Sequence, residues 1–396
     1  MLKVKFQKED LKFKTKRMNY KELHKQYKEE SLFGRYITLQ HIEPLILKYQ
    51  VEIIGQSVLG KPIYKLQFGT GKTRILIWSQ MHGNESTTTK ALFDFINFLH
   101  SGSMENKSIL DNFTFCMLPM LNPDGAKFYT RENANEIDLN RDAQNLSQPE
   151  SVVLRKAFEL FKPNYCYNLH DQRTIYGAGE IGKSATVSFL APAFNENRDI
   201  NEVRIKAMNV IVAMNTILQQ FIPNQVGRFD DSFNLNCVGD TFQYLNVPTI
   251  LFEAGHFAGD YEREITRKYI FIAMLSGIVF LSENDIVLNE IDNYLKISQN
   301  KVVFYDFVYK NVKINYDGKE KIINFAAQFK EVLNNEKVTF EALIARVDNL
   351  ENYFGHVEID AKGETYYDGE NNIPILDKKA NFYLGKSFRI LNGNTT

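Results

Sequence analysis

The sequence predicts an α/β chain, a sheet covered by helices on its faces, followed by an all-β region. Between Ile46 and Leu281 short β-rich apolar runs alternate with amphipathic helical stretches. After about Ser282 the pattern changes to short alternating stretches punctuated by Asp-Gly and Lys-Gly pairs. With 396 residues there is ample interior for one large domain and a smaller one. The boundary is placed near Glu283 to Glu290. That division makes residues 1–45 a helical N-terminal extension, 46–284 the α/β domain and 285–396 a β-rich C-terminal domain. The sequence contains no internal repeat and no low-complexity segment.

In the first region the expected strands are Tyr49 to Ile54, Ile63 to Phe68, Arg74 to Ser79, Phe113 to Pro119, Tyr165 to Leu169, Thr186 to Ala191 and Thr249 to Phe252. Apolar residues at three- and four-residue intervals predict helices at Thr87 to Leu99, Glu150 to Phe161, Asn201 to Phe221 and Glu262 to Leu281. Ser86 is the expected cap of the first of these. In the second region the alternating stretches are 302–309, Val338 to Val347, Thr365 to Tyr367 and Phe388 to Leu391. Asp317-Gly318, Lys362-Gly363 and Asp368-Gly369 separate them as turns.

Hydrophobic residues at 44%, charged residues at 24% and a net charge of -1 carry no electrostatic footprint for nucleic acid. Cys116, Cys166 and Cys237 are widely spaced and odd in number, which excludes a disulfide framework, and the first two sit in apolar runs that place them in the core. Met1 to Arg17 carries seven Lys/Arg but no apolar stretch of signal-peptide length. Apolar runs such as Tyr269 to Leu281 read as interrupted or too short to cross a bilayer. The expectation is a cytoplasmic protein without a membrane partner.

The most informative stretch is His82-Gly83-Asn84-Glu85, directly after the apolar run Ile75-Leu76-Ile77-Trp78. Imidazole nitrogen and carboxylate oxygen are zinc donors, and a catalytic zinc uses three protein ligands and keeps one position open. Residues three apart on a first helical turn share a face, so His82 and Glu85 can converge on one ion. The third ligand must come from elsewhere.

Further along lie Leu118-Pro119-Met120-Leu121-Asn122-Pro123-Asp124-Gly125, then Arg131, Asp138-Leu139-Asn140-Arg141, Asn168-Leu169-His170-Asp171 and Phe252-Glu253-Ala254-Gly255. In that order, with His82 and Glu85, they resemble the zinc metallocarboxypeptidase family over roughly residues 46–281. Residues 131–141 look especially like its shorter bacterial branch, which includes enzymes that trim peptidoglycan-derived peptides. The resemblance implies a mixed, mostly parallel sheet flanked by helices, of the phosphorylase/hydrolase-like kind. It also implies one zinc ion held by His82, Glu85 and His170. It assigns Glu253 as general base and Arg131 as stabiliser of the oxyanion. Asn140 and Arg141 become the grip on the substrate's terminal carboxylate, and Asp138 the carboxylate that orients His82. A helix-cap role is the plainer reading of Asp138.

One departure bears on the substrate. Where many carboxypeptidases carry a mobile tyrosine about twenty residues before the general base, this chain reads Gly227-Arg228-Phe229-Asp230-Asp231-Ser232-Phe233-Asn234. Tyr244 lies too near Glu253 to match. Asp230 and Asp231 are candidates to face a basic or amino-bearing substrate group, against a plain solvated turn. Gln172 and Arg173 are candidates for the pocket wall, against an exposed loop. His24, His41, His100, His256 and His356 show no metal-ligand spacing. The leading expectation is a zinc-dependent carboxypeptidase acting on peptides. The alternatives are a deacylase of small N-acyl amino acids, by likeness to aspartoacylase and succinylglutamate desuccinylase relatives, and a catalytically silent peptide-binding module.

Overall fold

A computed structural model describes residues 18–283, 289–347, 350–386 and 388–396. The basic segment Met1 to Arg17 and most of the expected boundary lie outside the described residues. Nine strands precede residue 284: β1 (Val51–Gln56), β2 (Pro62–Phe68), β3 (Thr73–Trp78), β4 (Phe113–Leu118), β5 (Tyr165–Asp171), β6 (Tyr176–Ala178), β7 (Val187–Leu190), β8 (Val226–Arg228) and β9 (Thr249–Ala254). All but β6 form one sheet in the order β1-β2-β4-β3-β5-β9-β7-β8. The pairs β3/β4, β3/β5, β5/β9 and β7/β8 are parallel, and β1/β2, β2/β4 and β7/β9 are antiparallel. The sheet is therefore mixed and mostly parallel, as expected.

β3 shows why its apolar run is continuous. Ile75 and Ile77 point into one core cluster, with helices Thr87–His100, Glu202–Leu218 and Glu264–Glu283. Leu76 and Trp78 point into another, with helices Pro149–Phe161 and Val238–Tyr244. A strand covered on both faces loses the polar alternation of a surface strand. Cys116 and Cys166 lie in the second cluster. The short β6 and β8 and the helices Met104–Asn112, Pro123–Phe128 and Val238–Tyr244 lack the repeated apolar spacing that marks longer elements.

Helix Glu264–Glu283 corrects one expectation. Its 20 residues are long and apolar enough to span a bilayer by length and composition. Thr266, Arg267 and Ile270 through Ser276 are nonetheless buried within the protein, so its apolar character is that of a core helix. Among the described residues two helices, Tyr20–Tyr27 and Leu39–Ile46, precede β1. The first is tied to the core by charge. Arg267 meets Asp94 at 2.5 and 2.7 Å, and Asp94 also lies 3.2 Å from His24 Nε2 and accepts from Glu29 N at 2.7 Å.

After the α/β part, β10 (Asn300–Val302) pairs antiparallel with β6. β11 (Phe304–Tyr316), β12 (Lys319–Asn334), β13 (Lys337–Val347) and β14 (Phe354–Asp360) form a sheet in the order β13-β12-β11-β14. Four short strands, β15 (Tyr366–Tyr367), β16 (Phe382–Leu384), β17 (Phe388–Leu391) and β18 (Asn394–Thr395), form another. An aromatic-rich core that includes Phe307, Tyr309, Phe325, Tyr366 and Phe382 draws on both sheets. Asp317 and Gly318 join β11 to β12 with φ of 48° and 76°, the left-handed pair that a tight hairpin requires.

Asp94 and Arg267 are fully buried, and although Glu264 also lies 3.2 Å from Arg267, removing Asp94 takes away the guanidinium's bidentate counter-charge. Asp94→Ala should cost about 3–5 kcal/mol of unfolding free energy. The double change Asp94→Ala with Arg267→Met should recover part of it, measured by urea denaturation. A double mutant as unstable as the sum of the singles contradicts this account.

Candidate metal centre and cleft

β3 and β5 run side by side in parallel, with Trp78 opposite Asn168, and β9 lies beyond β5 with Glu253 opposite His170. The carboxyl ends of the three strands therefore open at one place. The sheet also reverses its order there, because β4 follows β3 to one side and β5 to the other. That is where an open α/β sheet presents a binding crevice.

His82 and Glu85 are not on a helical turn. They stand in the loop between β3 and helix Thr87–His100, closed by a turn in which Glu85 N donates to His82 O at 3.1 Å. Gly83 permits this path, since a Cβ there would lie 1.9 Å from the carbonyl carbon of Gly125. Ser86 does not cap the helix with its side chain but donates to Arg35 O at 2.5 Å. The cap comes from Asp171, next to His170, which accepts from Thr87 N at 2.9 Å and Thr88 N at 3.2 Å. One carboxylate thus links the strand bearing the third ligand to the segment bearing the first two.

The donor atoms converge. His82 Nδ1 is 2.8 Å from Glu85 Oε1, His170 Nδ1 is 2.9 Å from Glu85 Oε2, and the two Nδ1 atoms are 3.1 Å apart. One ligand atom from each residue lies within 4.8 Å of the others. Both histidines are buried. Two imidazole nitrogens and a carboxylate, open on one side to a cleft, are the donor set of a catalytic zinc site, and they fit a single ion.

Electrostatics point the same way. Glu85 is buried, which disfavours its charge, yet His82 and His170 outweigh burial and hold its carboxyl well below the usual range. Burial likewise opposes charge on His82, but Glu85 and Asp138 push its pKa up. Burial keeps His170 below its ordinary value. The cluster favours a positive charge at its centre, which a divalent cation supplies with both imidazoles neutral.

Asp138 fulfils both of its readings. Its Oδ1 lies 3.0 Å from His82 Nε2, and the same oxygen accepts from Asn140 N at 2.8 Å, capping the short helix Leu139–Arg141. Arg131 donates to Asp138 Oδ2 through Nε and Nη2, both at 3.1 Å, and to Glu85 Oε1 through Nη1 at 3.2 Å. Asn140 Oδ1 accepts from Val238 N at 2.9 Å, and Arg141 Nη1 donates to Asn140 O and Cys237 Sγ. The Oε2 of Glu253 is buried without a partner. Burial raises its carboxyl well above the usual range, helped by Glu85 and Asp171 and opposed by Arg131 and Arg263.

His82, Glu85, Arg131, Asn140, Arg141, His170 and Glu253 all line one cleft of about 710 Å³, with Asp138 behind them. Of the two candidate acidic residues, only Asp230 lines it. Asp231 is committed to Arg204 at 2.7 Å and Arg198 at 3.6 Å, which removes it as a substrate contact. Arg173 lies exposed on the cleft. Gln172 is also there, but buried and bonded to Ala185 O, Ser188 and Asn300. Tyr244 is not part of the lining. Phe229 is, and Tyr176 packs against it at 5.4 Å between ring centroids. The sequence reading missed Arg35, Asp240, Tyr261, Arg263 and Gln328 to Glu331. No local pattern marks them, because they reach the cleft from distant segments.

Comparison with known proteins adds a family to this geometry. Residues 43–168 match the family model described as zinc carboxypeptidase. This segment is similar to the zinc carboxypeptidase family. It contains His82, Glu85, Arg131 and Asp138 to Arg141 and ends before His170 and Glu253, so these last two rest on the structure. Carboxypeptidase E of Caenorhabditis elegans is 32% identical over 116 residues, 24% of this chain and 25% of that protein. Gamma-D-glutamyl-L-diamino acid endopeptidase 1 of Lysinibacillus sphaericus is 32% identical over 114 residues, 24% of this chain and 28% of that one. The chain spans about a quarter of the length of these curated relatives. Among solved structures, carboxypeptidase A of Helicoverpa armigera aligns with a TM-score of 0.49 at 14% identity, covering 67% of this chain and 80% of its own.

Two measurements follow. Asp138→Ala should weaken zinc binding about 10- to 100-fold, read by chelator competition, because it releases the far nitrogen of a liganding imidazole. An unchanged affinity contradicts this. Burial pushes the Asp240 carboxyl up to about 7, against the lowering effect of Asn234 N–H and Arg204. Its folded pKa thus lies above the unfolded value of about 3.9, so its contribution to stability falls as pH rises between those values. The stability difference between wild type and Asp240→Asn should decline over that window. A difference independent of pH contradicts it.

Proposed function

We propose that this chain is a zinc-dependent hydrolase that removes the C-terminal amino acid of a peptide. The observation that carries this reading is that the His82–Glu85–His170 cluster opens into the same cleft as the unpartnered carboxylate oxygen of Glu253 and the paired Asn140 and Arg141. Zinc bound by the three ligands would polarise the scissile carbonyl and lower the pKa of a water.

The chain's own residues do the rest. Glu253 takes the proton of the attacking water and returns it to the leaving amine. Burial holds its carboxyl above the usual range, so it keeps a proton more readily than a solvated glutamate, which suits it to take one up and pass it on. Arg131, held by Asp138, directs a permanently charged guanidinium at the centre, where it donates to the oxygen that gains charge. Asn140 and Arg141 bind the terminal carboxylate, Arg141 through the fork geometry that makes two parallel hydrogen bonds. Binding that carboxylate at a fixed distance from the ligands sets cleavage one residue from the end.

The expected result is release of single C-terminal amino acids from peptides, abolished by chelation and restored by zinc. Glu253→Gln should lower kcat by about 10³ while zinc stays bound. Peptides amidated at the C-terminus should be cleaved far more slowly than free acids, an effect that Arg141→Ala should erase. Mass spectrometry of the products decides the case. Hydrolysis of N-acyl amino acids with none of peptides would replace this reading with the deacylase one.

A further inference from the structure

One wall of the cleft is built by the C-terminal strands. β12 and β13 contribute Gln328, Phe329, Lys330, Glu331 and Phe340 to it. Asp306 of β11 holds them in place. Fully buried, it accepts from Tyr261 Oη at 2.8 Å, from Phe329 N at 2.7 Å and from Gln328 Nε2. Gln328 Nε2 also donates to Thr174 Oγ1 at 2.8 Å, which leaves Gln328 Oε1 as a buried acceptor without a partner.

The charges on this wall do not cancel. Glu331 is committed to Arg35 at 2.9 Å and to the Tyr129 hydroxyl. Arg263 is buried. Its Nη1 donates to Ala254 O and its Nη2 to Gln172 O, both carbonyls, and its Nε has no partner. Among the described residues, neither Arg263 nor the exposed Lys330 and Arg173 on the same cleft has a carboxylate within the 4.0 Å of an ion pair. Asp171 and Glu331 act on Arg263 from a distance but do not outweigh its burial beside Arg35. A buried guanidinium without a close counter-ion costs several kcal/mol, so such a cation beside an open cleft is a site for an anion from outside.

We propose that this wall is a subsite for a carboxylate on the substrate residue just before the scissile bond, so that the preferred substrates are peptides with an acidic residue there. Its placement on that side of the bond rests on the reading above, in which Asn140 and Arg141 hold the terminal carboxylate. Arg263 sets the potential from within the wall, Lys330 and Arg173 approach the anion from its rim, and Gln328 Oε1 accepts a substrate N–H.

The test uses the full chain carrying Glu253→Gln, loaded with zinc. Calorimetry measures its binding of three acetylated peptides that differ only in Glu, Gln or Lys before the terminal residue. The Glu peptide should bind about tenfold tighter than the Gln peptide, and the Lys peptide more weakly than either. The preference should shrink as salt is raised. Lys330→Glu and Arg173→Glu should each weaken the Glu peptide and strengthen the Lys peptide. Equal affinities, no binding, or a preference unmoved by both reversals would overturn the subsite. Wild-type turnover of the same peptides tests the other reading separately. Hydrolysis without a preference sinks the subsite and leaves the activity. A binding preference with no hydrolysis leaves the subsite and sinks the activity.

Discussion

A carboxylate buried between two imidazoles is stable only if positive charge is shared among them, and the α/β part of this chain is arranged around that constraint. Glu85 is removed from solvent with His82 and His170 against its two oxygens. Desolvating such a group costs several kcal/mol unless the geometry compensates it. The compensation comes from parallel neighbours. β3 and β5 bring the three donors together, Asp138 fixes the far nitrogen of His82, and Asp171 joins β5 to the helix that follows Glu85. A shift of one residue between β3 and β5 would turn His170 to the other face of the sheet and disperse the cluster.

The same rule organises the rest of the interior. Asp94 and Arg267 satisfy one another and seat the first helix against the core. Asp306 accepts from Tyr261 Oη, Phe329 N and Gln328 Nε2 and sets β12 against the cleft. In both of these packed carboxylates the oxygens are met by partners. Among the ionisable groups that line the cleft, Glu253 Oε2 and Arg263 Nε are left over. Buried groups without a partner also occur away from the cleft, at Tyr167 Oη and at both ring nitrogens of His256, so it is position on the cleft that marks Glu253 and Arg263 as groups a ligand can complete.

Much of this was legible in the amino-acid order. Most of the longer strands and helices announced themselves because a buried strand must be apolar and a packed helix must repeat at three and four residues, and those were found within a few residues of their expected places. β12, the longest strand, and β14 were not expected, since their many charged and polar residues interrupt the apolar alternation. His82 and Glu85 were legible because chemistry restricts which side chains can hold zinc, and His170 was legible only through the resemblance to the carboxypeptidase motifs. The short β6, β8 and Val238–Tyr244 were not, since a few residues carry no period. Ser86 had the right type for a cap and lost the position to Asp171, a residue 84 places from Thr87 that no local rule could weigh. Asp231 looked free in a polar turn, and only the approach of Arg204 from another element showed it to be taken.

By itself the sequence determined the α/β class and the donor pair His82 and Glu85, because composition, period and ligand chemistry are properties of local order, and its motif order implied His170 and the carboxylate and guanidinium groups beside it by resemblance. Tertiary structure alone decided the shape and charge of the cleft. Its wall is assembled from Arg35, Arg173, Arg263 and the β12 residues Gln328 to Glu331. These are separated by up to about three hundred positions and meet only because sheet order, not chain order, sets which side chains face each other across solvent.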